Sequence, residues 1–102
     1  MKKDRETASK YRQQALEGDL MAMNNMGVCY AQGIGVVENH ATAFDWYMKA
    51  ATLGDIYACY NVEECYYLGD GVEQDYEKAL HWYLIAAEKG DVQSQVNAAN
   101  AY

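Results

Sequence analysis

Apolar residues recur along this chain in short stripes at helical spacing, and polar turn signals cut the stripes at a fixed interval. One stripe runs Ala22, Met26, Cys29, Tyr30, and the next runs Ala43, Trp46, Tyr47, Ala50, Ala51. Steps of three and four place each set on one face of an α-helix. Both stripes return, at Ala58, Val62, Cys65, Tyr66 and at Ala79, Trp82, Tyr83, Ala86, Ala87. The offset is 36 residues without a gap, and 19–54 shares 14 identities with 55–90. A fixed period of this length marks a solenoid of supersecondary units. The turn signals keep the same register. Gly18-Asp19, Gly54-Asp55 and Gly90-Asp91 each join a helix-ending glycine to a helix-capping aspartate. Gly33 and Gly69 end the first helix of a unit, and Asn39 and Asp75 cap the second.

These signals predict helices over 5–17, 20–32, 40–53, 56–68, 76–89 and 92–101. The fold class is therefore all-α, with about six antiparallel helices in helix-turn-helix units of 36 residues. The chain reads as a single domain, 1–102, made of a half unit (1–18), two whole units (19–54 and 55–90) and a second half unit (91–102). One hairpin cannot hide both faces, so the units must stack. The alanines let helices approach closely, and Trp46 and Trp82 are expected between the layers. Burying one such side chain contributes about 1.5–3 kcal/mol.

Composition agrees with helices. Proline, the strongest helix breaker, is absent, and 51% of residues are hydrophobic. The net charge of −7 is unevenly spread: residues 1–12 carry +3, and the remainder carries −10. An acidic body repels phosphate backbones and anionic lipid heads, which argues against nucleic acid and membrane surfaces as partners. No apolar run approaches the roughly 18 residues that span a bilayer. The opening residues, MKKDRETASK, lack the apolar core of a signal peptide.

The motifs "GDLMAMNNMGVCYAQGIGV" and "DYEKALHWYLIAAEKGD" resemble the Sel-1-like repeat, a relative of the tetratricopeptide repeat. The resemblance spans essentially the whole chain. It implies a right-handed α/α superhelix, with first helices lining a concave face and second helices outside. It also implies a non-catalytic scaffold or adaptor in protein–protein interaction. One departure stands out. The family's Leu-Gly is Met26-Gly27 in the first unit but Val62-Glu63 in the second. That glycine sits where the two helices of a unit come closest. A glutamate there must snorkel to the edge or splay the hairpin, because a buried unpaired carboxylate is too costly.

Candidate chemistry is sparse. Cys29, Cys59 and Cys65 lack the spacing for a disulfide between neighbouring helices and read as reduced core thiols. Together with the missing signal segment they favour the cytoplasm. His40 and His81 have no metal-like partner four residues on, and "DGVEQDYE" lacks ordered calcium-ligand positions. No nucleophile–base set is visible, and no cofactor or metal is expected.

The informative arc lies on the first helices, opposite the apolar stripe. It holds Met21, Asn24, Val28 and Ala31 in one unit, and Tyr57, Tyr60, Glu64 and Tyr67 in the next. Tyrosine anchors interfaces well, being amphipathic and low in entropy cost. The expected partner-binding residues are Met21, Asn24, Val28, Tyr57, Tyr60, Asn61, Glu64 and Tyr67. Contact with a further unit, or plain surface tyrosine, is the alternative for the three tyrosines. The expected partner is a protein or peptide carrying Lys or Arg. The competing reading is a homo-oligomer that stacks through its open ends.

Overall fold

The computed structural model describes the backbone of residues 2–101 and the side chains of residues 4–90. Its elements are α1 (Lys2–Leu16), α2 (Leu20–Gln32), α3 (His40–Thr52), α4 (Ile56–Leu68) and α5 (Tyr76–Ala101). Among the described residues there is no strand. Each helix packs on the next in chain order, so α2 with α3 and α4 with α5 form the hairpins of successive units.

The period of 36 is written into the hydrogen bonds. Asp19 caps α2 by accepting from the Ala22 N–H at 3.1 Å, and Asp55 caps α4 by accepting from the Ala58 N–H at 2.9 Å. Asn39 and Asp75 do the same for Thr42 and Lys78, at 3.0 and 3.1 Å. The loops inside the units match too. The Asn39 N–H donates to the Tyr30 carbonyl at 2.8 Å, and the Asp75 N–H donates to the Tyr66 carbonyl at 2.9 Å. Caps of this kind satisfy orphan helix donors that water would otherwise have to serve.

The core is a ladder of small and flexible residues. Ala22, Met23, Met26 and Cys29 of α2, Ala43, Tyr47, Ala50 and Ala51 of α3, and Ala58, Cys59, Val62, Cys65 and Tyr66 of α4 are buried. Phe44 meets Tyr66 edge-on at 5.3 Å, joining α3 to α4. The expectation that Trp46 and Trp82 lie between layers is corrected: both are half-buried, and Tyr47 is the deeply buried ring of its unit. The reason is Gly27. Without a side chain there, the Tyr47 ring lies directly on α2, where an added Cβ would collide with it.

The expected break at Gly90 is also corrected. Gly18 and Gly54 have φ of +99° and +106° and turn the chain, whereas Gly90 is helical and α5 runs straight through it. The turn at Gly54 is offset by the burial of Ala58, Cys59, Val62, Cys65 and Tyr66. One repeat later those positions read Ser94, Gln95, Ala98, Ala101 and Tyr102. So little apolar area cannot compensate for broken backbone hydrogen bonds. A glycine inside a helix costs only about 1 kcal/mol.

Candidate partner-binding site

The first helices of the two whole units stand side by side. The Asn61 amide of α4 donates to the Asn24 side-chain oxygen of α2 at 2.8 Å. Beyond this bridge a cavity of about 260 Å³ opens between α2 and α4. Its lining includes Ala43, Tyr47 and Cys65, all buried, together with Val28 and Ala31. Gln32, His40, Asn61, Glu64 and Asp70 supply its polar groups. His40 opens α3, and its Nδ1 lies 2.6 Å from Asp70 Oδ1 across the unit boundary. Its Nε2 lies 3.6 Å from Glu38 Oε2. Asp70 follows the α4 cap Gly69, and its N–H donates to the Cys65 carbonyl at 2.9 Å.

Two groups in this lining are held neutral. Burial, then the negative charges of Asp70 and Glu64, push the Cys65 thiol up to about 12. Burial foremost, with Cys65 and the same two carboxylates behind it, pushes the Tyr47 phenol up to about 12. Burial also raises the thiols of Cys29 and Cys59. None of these thiols is a thiolate nucleophile at neutral pH. The cavity therefore offers a neutral apolar lining and carboxylate acceptors, which suits an aliphatic stem ending in a cation.

The structure gathers Asn24, Val28, Asn61 and Glu64 of the expected set around this groove. Met21 and Tyr57 are exposed in the first turns of α2 and α4. Tyr60 and Tyr67, also exposed, lie toward α5. The Tyr60 hydroxyl is beside Gly90, 3.6 Å from where a Cβ would stand. The Tyr67 ring is 5.3 Å from the Tyr76 ring at 61°. It lines a second cleft, of about 440 Å³, with Glu63, Tyr76, Ala79, Leu80 and Tyr83. Positions 60 and 67 stand about 60° round the helix from 57 and 64, which decides the split. The repeat register carried that signal. One unit earlier, the equivalent Asn24 and Ala31 face α4, so 60 and 67 are inter-unit positions. His40, Gln32 and Asp70 were missed, because no stripe on a single helix points to residues brought in by three elements.

Among the described residues, no three His, Cys, Asp or Glu side chains gather as a metal site. Among them, too, no helix is long and apolar enough to cross a membrane.

The family model for the Sel1 repeat matches residues 20–55 and 56–91. Among solved structures, a Sel1 repeat protein from Oxalobacter formigenes is 35% identical, with a TM-score of 0.78 over 80% of this chain and 63% of that one. The antigen c5321, a protective antigen present in uropathogenic Escherichia coli strains and displaying an SLR fold, is 37% identical. Its TM-score is 0.82, over 88% of this chain and 19% of that one. Cysteine-rich protein B of Helicobacter pylori is 22% identical, with a TM-score of 0.78 over 81% of this chain and 62% of that one, a likeness of fold alone. The chain thus spans less than two thirds of each of these proteins. No curated protein sequence matches it.

Proposed function

The chain belongs to the Sel1 repeat family, whose members typically serve as protein–protein interaction scaffolds, and on that premise we propose that it binds a basic peptide segment on its first-helix face. The observation that carries this reading is the α2/α4 groove, with neutral Tyr47 and Cys65 in its lining beside the carboxylates of Glu64 and Asp70. Lys or Arg from the partner would lay its stem over Val28 and Ala31 and its cation against Glu64. Asn24 and Asn61 would take main-chain hydrogen bonds. Met21, Tyr57, Tyr60 and Tyr67 would extend the contact along both flanks. The module carries no chemistry of its own in this reading, as Sel1 repeat scaffolds generally do not. The net charge of −7 supplies long-range attraction for such a partner.

Selection from a random peptide library, repeated on Glu64→Gln, tests it. Enrichment of Lys- or Arg-bearing peptides that bind the variant about tenfold more weakly supports the groove. Peptides without basic residues, or with equal affinity for the variant, overturn it. Self-association through the ends is the alternative, and it draws on exposed Leu80, Tyr83 and Leu84 of α5. Light scattering at two chain concentrations separates the readings, since stacking makes the apparent mass rise with concentration.

A further inference from the structure

The second cleft, between α4 and α5, takes up part of the groove just described one repeat on: Tyr67, Tyr76, Ala79 and Tyr83 stand where Ala31, His40, Ala43 and Tyr47 stand in the first unit. In the first unit Gly27 lets the Tyr47 ring lie on α2, and that ring is only 7% exposed. One repeat later the pair is Glu63 and Tyr83, and Tyr83 is 49% exposed. At the position of Gly27 the second unit carries Glu63, and both Glu63 and Tyr83 line the cleft.

This cleft is a pocket of about 440 Å³ walled by tyrosines, with Glu63 the one charged residue in its lining. Tyr67 and Tyr76 meet at 61°, so two aromatic walls converge. Gln74 ties the Tyr76 ring to the end of α4, because its amide donates to the Tyr67 main-chain carbonyl at 2.7 Å and to the Tyr76 hydroxyl at 3.0 Å. Aromatic faces beside a carboxylate attract an ammonium or guanidinium group, through the ring quadrupole and the full charge together.

We infer that this cleft is a binding site for a Lys or Arg side chain of a partner peptide, with Glu63 as counter-ion and Tyr67, Tyr76 and Tyr83 as the aromatic walls. A cation from the occupant would pair the Glu63 carboxylate, which a wholly apolar surface laid over the cleft would leave without a partner. The chain's own final segment, 91–102, contains no Lys, Arg or His and so brings no cation. The inference shares Tyr67 with the flank of the α2/α4 reading, but Glu63, Tyr76 and Tyr83 do not line that groove, so its failure would leave the inference intact.

The test uses the full chain and three short peptides, acetyl-Gly-Arg-Gly-amide, acetyl-Gly-Lys-Gly-amide and the neutral acetyl-Gly-Gln-Gly-amide. Tyrosine ring signals are followed by NMR. The cationic peptides should shift the Tyr67, Tyr76 and Tyr83 signals saturably, and Gln should not. Glu63→Gln and, separately, Tyr76→Leu should each weaken binding about fivefold with unchanged helical circular dichroism. Glu64→Gln should leave this titration as it is, which separates the two sites. Equal shifts with the Gln peptide, or full affinity in Glu63→Gln, overturn the inference. So does a concentration-dependent dimer in sedimentation velocity that Glu63→Gln abolishes, because the occupant would then be a second copy.

Discussion

An added Cβ at Gly27 would stand inside the Tyr47 ring, which is buried by the next unit and has nowhere to move. Gly27→Ala is therefore expected to destabilise the fold by about 1–3 kcal/mol through overpacking, read as a lower urea midpoint. Tyr47 also sets a pH limit together with Cys65. Their protons are held up to about 12 in the fold, above the ordinary 10.0 and 9.0. The folded chain binds these protons more tightly than the unfolded chain does. The stability they contribute is complete below about pH 9 and is lost as pH climbs toward about 12. Urea midpoints between pH 8 and 11 should fall, and Tyr47→Phe should flatten that decline. An equal decline in Tyr47→Phe would remove the phenol from the account.

The helices owe their limits to caps and loop glycines that recur with the sequence period. Asp55→Ala removes the bond accepted from the Ala58 N–H at 2.9 Å and should cost about 1 kcal/mol, whereas Asp55→Asn should cost little. Gly71 combines φ of +75° with close approach to the His40 carbonyl, where a Cβ would collide. Gly71→Ala should cost at least about 2 kcal/mol in urea unfolding. The spans of α2 and α4 were legible in the sequence to the residue, since cap, stripe and terminating glycine all agree. The course of α5 past Gly90 was not. The signal Gly-Asp is identical at 54 and 90, and what differs is the apolar content of the residues that follow it.

The charge on the whole molecule and the split between its two clefts govern how it would meet a partner. With −7 overall, capture of a basic peptide should weaken steeply as salt is raised, measured by fluorescence anisotropy. Tyr60→Ala should weaken binding while far-UV circular dichroism and melting stay nearly unchanged, because the ring is exposed. A large drop in melting temperature would instead make Tyr60 a packing residue against α5. Half of the expected site was legible from the arc on the first helices. Asn24, Val28, Asn61 and Glu64 do share one groove. The rest was not: Met21 and Tyr57 stand exposed in the first turns, and about 60° of rotation about α4 turns Tyr60 and Tyr67 toward α5.

Periodicity alone determined that this chain is a stack of helical hairpins. Local backbone preferences, capping side chains and the need to bury one stripe per helix all repeat every 36 residues and leave no other solution. The tertiary structure decided which exposed residues share a surface. Groove membership depends on where a neighbouring helix sits and on the space a single side chain leaves, as Gly27 shows by letting the Tyr47 ring lie against α2.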